Sequence, residues 1–326
     1  MRQKILLAAV CGLSLPAVCF AAEKPDAYPT RPIRIVDGFA AGGNSDFLAR
    51  AIAPRLGERL GQSVVVENRP GGSGHIGTEG VARSAPDGYT LLIGASTSLS
   101  SGRSLNPKLG YDLMKDFTFV GAVGATAALW VAHPSLPVRS IKELIALARS
   151  KPNSVSYGSA GVGTIGHLAM ALLENRAGVR FLHVPYKGAG PVILATAGGE
   201  VAVGSGGAPA AIPMIKAKRL IPLAVSSANR IGALPDVPTV AESGIPGFNV
   251  TPIFGILAPA ATPPEIVNLL SAEIRRIVDS EDTKARFIAQ ALDARSSTSA
   301  EFRSIVEAEV AQWARVIKEA GIVAEN

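Results

Sequence analysis

The sequence predicts an α/β fold, and three observations predict it. Short apolar runs suited to strands alternate with amphipathic stretches suited to helices. Two strand–glycine loop–helix units occur about 120 residues apart, one around Gly38–Ser45 and one around Gly158–Thr164. Helix starts are marked by capping-box spacing at Ser140-x-x-Glu143, Thr262-x-x-Glu265 and Thr298-x-x-Glu301. Strands that alternate with helices in this way imply parallel βαβ units.

The elements follow in order. Ile33–Val36 is apolar and strand-like. Ser45–Leu60 carries Leu48, Ile52, Leu56 and Leu60 on one stripe, and Pro54 predicts a kink near Arg50. Val64–Glu67 is a strand, NRPGGSGHIG a loop, and IGTEGVARSAPDG a short helix closed by turn residues. Tyr89–Ile93 is a strand, and GASTSLSSG reads as a polar loop. Ile141, Leu144, Ile145 and Ala148 form one helical face. Val155–Tyr157 leads through a glycine-rich loop into a helix from Thr164 to Asn175. Strand-like runs follow at Phe181–Val184, Val201–Val203, Ile221–Val225 and Ile253–Leu257. Pro263 suits a first helical position, ahead of a face of Ile266, Leu269, Leu270, Ile274 and Ile277. The last helix buries Phe302, Ile305, Val306, Trp313 and Ile317 and stops at Gly321.

Residues 1–21 form a different kind of segment. Arg2 and Lys4 precede an apolar stretch broken by Gly12 and Pro16, with small residues at Cys19 and Ala21. This is the pattern of a cleaved secretory signal peptide. The apolar run is too short and interrupted for a membrane anchor, and Val18 is a poor lead-in to lipidation at Cys19. Both cysteines, Cys11 and Cys19, lie in this segment. The exported chain therefore has no disulfide, thiol catalysis or cysteine–metal chemistry, and its 326-residue parent is long enough to rely on an apolar core. Without Arg2 and Lys4, 30 basic residues face 26 acidic ones. They are scattered without a basic run, which argues against nucleic-acid binding and suits small anionic ligands.

The two glycine loops carry the chemistry. A helix N-terminus presents free backbone N–H groups and the positive end of its dipole, and glycine lets the chain approach an anion. The first loop, Gly38-x-x-x-x-Gly43-x-Ser45, nearly spells a P-loop, but Asn44 stands where the phosphate-binding lysine belongs. The second contains Gly161-x-Gly163-x-x-Gly166, yet the next strand, RFLHVPYKG, lacks the acid of a dinucleotide site. The alternative for each loop is glycine used only to turn the chain. Asn44, Ser45, Ser159 and Thr164 favour a binding role, because they add donors at the same points. Asp46, in a first helical turn, suits either loop bracing or a ligand-side role. His167 is more in keeping with a satisfied, partly buried histidine than with a ligand group. The four histidines form no HExxH or other i, i+4 pair and there is no G-x-S-x-G elbow, so neither a zinc site nor a serine hydrolase is indicated. No cofactor is implied.

Long ordered stretches carry a family resemblance. YPTRPIRIVDGFAAGGNSDFLARAIAPRLGERLGQSVVVENRPGGSGHIGTEGVARSAPDGYTLLIG, HVPYKGAGP, LPDVPTVAESGIPGF and EVAQWARVIKEAGI resemble the Bug, or TctC-like, family. These are periplasmic receptors of tripartite tricarboxylate transporters. The resemblance implies a two-domain periplasmic-binding-protein fold, type II-like, with a βα-layered sheet in each lobe and a ligand cleft between them. It implies residues 28–123 plus 250–326 in lobe 1 and 124–249 in lobe 2. It further implies a monomer in the periplasm that delivers a small carboxylate to transporter subunits. Alternatives are presentation of the ligand to a sensor kinase, or a periplasmic hydrolase.

Carried onto this sequence, the ligand loops are Phe39–Asp46, with Phe39, Gly42, Gly43, Asn44, Ser45 and Asp46, and Ser159–Thr164, with Ser159, Gly163 and Thr164. His167 follows the second loop. Thr78, Ser96, Thr97, Tyr186 and Ser205 are expected to line the cleft. Two departures stand out. Gly38 replaces the proline that usually opens the first loop, which predicts a looser turn. Ala202 replaces an aspartate in the GG-x-V-D segment, which predicts a plain carboxylate ligand without an ammonium group.

Overall fold

The computed structural model describes residues 28–322. The signal peptide expected at 1–21, with Cys11 and Cys19, lies outside the described residues. The chain runs through β1 (Ile33–Asp37), α1 (Asn44–Leu60), β2 (Val64–Asn68), α2 (His75–Ala82), β3 (Thr90–Ala95), α3 (Ser96–Leu105) and β4 (Phe117–Ala125). It continues through β5 (Leu129–Ala132), α4 (Ile141–Ser150), β6 (Ser156–Ser159), α5 (Ile165–Ala177), β7 (Leu182–Pro185), α6 (Ala189–Gly198), β8 (Val203–Gly206), α7 (Ala208–Lys216) and β9 (Ile221–Val225). It closes with β10 (Ile253–Pro259), α8 (Pro264–Val278), α9 (Glu281–Ile288), β11 (Asp293–Ala294) and α10 (Ser299–Ala320).

Two sheets result, ordered β11-β4-β10-β3-β1-β2 and β7-β6-β8-β5-β9. Each is the centre of one lobe, with apolar side chains packed on both faces. The sheets are mixed rather than all parallel, which corrects the expectation from alternation. β1 is parallel to β2 and β3, and β6 to β7 and β8. β10 is antiparallel to β3 and β4, and β5 to β8 and β9. The reason is connectivity. β5 and β10 are the strands by which the chain enters a lobe from the other one. Each starts at the cleft end, where β3 and β8 finish, and so must run against them.

The crossings lie together. Thr126 N–H donates to the Pro252 carbonyl at 3.3 Å. Ser226 Oγ donates to the Val250 carbonyl at 2.6 Å and accepts from Ala128 N–H at 2.8 Å. Behind them α10 packs into both lobes. Phe302 and Val306 are buried in the core of the first, and Trp313 and Ile317 join the core of the second.

Local signals behaved unevenly. The Thr298–Glu301 box forms in full, and Ser140 Oγ accepts from Glu143 N–H. Thr262 instead donates to the Pro259 carbonyl, and Pro263 becomes the residue flanking α8. Helix α1 runs from Asn44 to Leu60 with Pro54 inside it; its stripe of Leu48, Ile52 and Leu56 is buried against the sheet. The polar loop read at GASTSLSSG is instead the last two residues of β3 and the start of α3. Its serines let α3 lie close against α10, where Ser96 Oγ meets Glu309 and Ser100 Oγ the Val306 carbonyl, and Ser100 Oγ also satisfies itself on the Ser96 carbonyl at 2.6 Å.

Candidate functional site

Strands β1, β3, β6 and β8 end at the cleft, and α1, α3, α5 and α7 begin there. Residues 38–43 turn from β1 into α1. Gly42 adopts φ +89, and its N–H donates to Asp46 Oδ2 at 3.1 Å. Asp46 Oδ1 accepts from Arg50 Nε and Asn68 Nδ2, so its carboxylate braces the loop from inside. The looser turn expected at Gly38 is not what forms. A Cβ there would lie 2.5 Å from the Gly74 carbonyl oxygen, so glycine serves the close approach of two loops.

The second loop is braced in the same manner. Thr164 Oγ1 donates to the Gly161 carbonyl at 2.7 Å. Ser159 Oγ accepts from Gly161 N–H and contacts His183 Nε2 at 2.7 Å. Gly163 N–H donates to His167 Nδ1 at 3.1 Å. The rings of His167 and His183 stack 4.3 Å apart. Burial depresses His167 to about 4, and burial together with the neighbouring His167 depresses His183 to about 3.

The loops meet around a cavity of about 50 Å³. Its walls are Gly43, Asn44 and Ser45 at the start of α1, Ala95 and Ser98 at α3, Thr164 and Ile165 at α5, and Ala189 at α6. Phe39, Ala160 and Phe254 supply apolar wall. Four helix N-termini therefore converge on one small space, and no lysine or arginine lines it. That volume is a few water-sized spheres, enough for a carboxylate group. Past Phe39 and Ala160 lies an outer cavity of about 320 Å³, lined also by Ser73, His75, Asn106, Tyr186 and Lys187. The lobes touch at its edge: Ala40 N–H donates to the Lys187 carbonyl at 2.9 Å.

The expected residues separate by position. Phe39, Gly43, Asn44, Ser45 and Thr164 line the inner cavity, and Tyr186 the outer one. Among the described residues, buried Asn44 Oδ1, Thr97 Oγ1 and Ser205 Oγ have no hydrogen-bond partner. Thr78 donates to the Gly74 carbonyl and lines a narrow side space with Ser98. Ser96 is committed to Glu309 and to Ile253 N–H, and Asp46, Ser159, Gly163 and His167 to loop bracing. Ala202 corrects an expectation. It precedes β8 and packs on the core, with its N–H on Ser156 Oγ, whereas Ser205 near the other end of β8 faces α5. The residue at 202 therefore lies away from the cavity lining. Ser98, Ala189, Ile165 and Phe254 were not foreseen. A helix start after Tyr89–Ile93, matching the other two units, is the signal that could have found Ser98.

Residues 48–322 match the profile described as TctC, tripartite tricarboxylate transporter family receptor. The chain belongs to this family. It is 37% identical over 317 residues to BugT of Bordetella pertussis, covering 97% of each. Among solved structures, Rpa4515 of R. palustris with adipate is 37% identical, with a TM-score of 0.88, over 91% of this chain and 100% of that one. MatC from Rhodopseudomonas palustris with bound malate is 30% identical, with a TM-score of 0.84, over 89% and 100%. TctC and Bug proteins are periplasmic solute-binding receptors with a two-lobe fold, and this receptor's two sheets share that architecture.

Proposed function

We propose that this receptor captures a small carboxylate in the cleft between its lobes and hands it to a tripartite tricarboxylate transporter. The observation that carries the reading is the inner cavity, bounded by the N-termini of α1, α3, α5 and α6. A carboxylate there meets backbone N–H groups of Asn44, Ser45 and Ile165 and the side chains of Asn44, Ser45 and Ser98, while the Thr164 hydroxyl stays on the Gly161 carbonyl. Hydrogen bonds to a charged group contribute roughly 1.5–3 kcal/mol each. Micromolar affinity corresponds to about −8.2 kcal/mol, which a few such bonds reach after ordering costs. The carbon chain of the acid extends past Phe39 into the outer cavity. The adipate and malate bound by two relatives support an acid of four to six carbons. Ligand favours closure because it touches both lobes only when they are together.

Native mass spectrometry of the protein purified from periplasm tests this. A small acid at one per chain, released on denaturation, is the expected result. Protein that is empty, and that no di- or tricarboxylate stabilises in a thermal-shift panel, would overturn it. Loss of growth on that acid when the membrane subunits are deleted tests the delivery step.

A further inference from the structure

Directly beneath the first loop lies a second carboxyl group besides Asp46. Asp37, at the end of β1, is fully buried. Its Oδ1 accepts from Phe39 N–H at 3.2 Å. Its Oδ2 accepts from Ser45 Oγ at 2.9 Å, and Asn68 Nδ2 stands 3.5 Å away. Ser45 is the link, since it also lines the inner cavity. Two further charged groups bear on Asp37, both from α1: the Asp46 carboxylate opposes its ionisation and the Arg50 guanidinium favours it. Burial outweighs the hydrogen bonds from Ser45 and Phe39 and pushes the carboxyl up to about 7.

We propose that Asp37 takes up a proton when the receptor binds its acid, and that Ser45 transmits the change to the ligand. This rests on the carboxylate reading of the inner cavity. With Asp37 ionised, the Ser45 proton points at Oδ2, and the hydroxyl offers the cavity only lone pairs. An anion finds no donor there and meets a buried negative charge behind it. With Asp37 protonated, Oδ2–H donates to Ser45 Oγ. The Ser45 proton is then free to turn to the ligand carboxylate, and Oδ1 still accepts from Phe39. One proton moves from solvent to Oδ2 for each acid bound, which balances the one carboxylate that enters the inner cavity; the second carboxylate of a dianion stays in the outer one. Tight capture belongs to the lower pH and release to the higher.

The test is calorimetric titration of the intact exported protein with malate and adipate from about pH 6.5 to about pH 8.5, where both acids are doubly ionised. Two buffers of different ionisation heat count the protons. Above neutrality the wild type is expected to take up close to one proton per acid, with affinity falling toward about tenfold per pH unit. Asp37→Asn is expected to bind with no proton uptake and little pH dependence. Ser45→Ala is expected to weaken binding at low pH more than at high pH. Flat wild-type affinity with no proton uptake overturns the proposal, as does an unchanged slope in Asp37→Asn. If neither acid binds at any pH, the carboxylate reading fails for these acids, and carbon-13 NMR of the Asp37 carboxyl in ligand-free protein decides separately. A midpoint near 7 upholds the proton switch, and a midpoint near the ordinary ~3.9 overturns it.

Discussion

The Ser101 hydroxyl donates to the Gly163 carbonyl at 3.0 Å, from α3 of one lobe to the binding loop of the other. Both groups are buried, and the bond exists only while the lobes are closed. Ser101→Ala therefore removes a clasp without touching the cavity walls. A neutral hydrogen bond contributes about 0.5–1.5 kcal/mol, so affinity should fall about 2- to 10-fold. Inter-lobe distances should lengthen in the ligand-free protein. Cys11 and Cys19 are the only cysteines, so a chain starting at residue 22 can be labelled at one engineered pair. An unchanged distance distribution would count against the clasp.

Glycines at the two loops should not behave alike. A Cβ on Gly163 would lie 2.5 Å from Leu105 Cδ1 and 2.9 Å from Ser101 Oγ, at φ +80. Gly163→Val should hold the lobes apart and weaken binding by about 100-fold or more, with a backbone cost of about 1–3 kcal/mol. Gly43 has φ −87, and its Cβ would meet Ala189 Cβ at 3.7 Å, an ordinary contact. Gly43→Ala should bind within about threefold of wild type, since a relieved Cβ costs little. Small-angle scattering with and without ligand separates failure to close from failure to bind. Closure by Gly163→Val on ligand addition would contradict the steric argument.

The histidine stack sets an acid limit. His167 and His183 are held neutral, with pKa values of about 4 and about 3 in the folded chain. An unfolded histidine titrates near 6.5. The folded values are depressed, so this contribution is full above about 6.5 and is lost as pH falls toward 4 and 3. Urea unfolding at several pH values should show stability declining over that window, and His167→Gln should lessen the decline. Asp37 works in the opposite sense. Its raised pKa gives stability that declines as pH climbs from the ordinary aspartate value to about 7. Asp37→Asn should therefore gain relative stability at alkaline pH, which the same series would reveal.

Glu309 ties α10 to the ligand-side helix α3. Its Oε1 accepts from Ser96 Oγ at 2.8 Å and Oε2 from Trp313 Nε1 at 3.3 Å, and burial raises its pKa. Glu309→Ala strands two buried donors and should cost about 1–3 kcal/mol in chemical denaturation. Glu309→Gln keeps one acceptor and should cost less. The raised carboxyl loses its stabilising contribution as pH rises above the unfolded value, so the glutamine variant should also flatten that decline. Equal stability of the alanine variant would show that this contact carries no weight.

Part of the inner cavity's lining was legible locally. Gly43, Asn44, Ser45 and Thr164, which line the inner cavity, stood out because glycine spacing and donor side chains at a helix start are written within a few residues, and Phe39 came with the family resemblance. Ser140 and Thr298 were found for the same reason. The α3 helix was not, because its buried face is serine and glycine, and only α10 lying against it makes that face an interior. Asp37 lay just past the strand read at Ile33–Val36 and drew no reading of its own. Its chemistry comes from the burial and hydrogen bonds that Ser45, Phe39 and Asn68 impose.

The sequence by itself determined the α/β class, the two glycine loops and the family to which the chain belongs, since these depend on short-range spacing and on long matching stretches. Tertiary structure alone decided which helix starts share one cavity, why β5 and β10 run against their neighbours, and that Ala202 sits away from the cavity lining. It also decided that α10 serves both lobes and that Asp37 is a group able to hold a proton near neutrality. The physical reason is dehydration. A polar residue's role follows from which distant segments exclude water around it, and no local pattern records that.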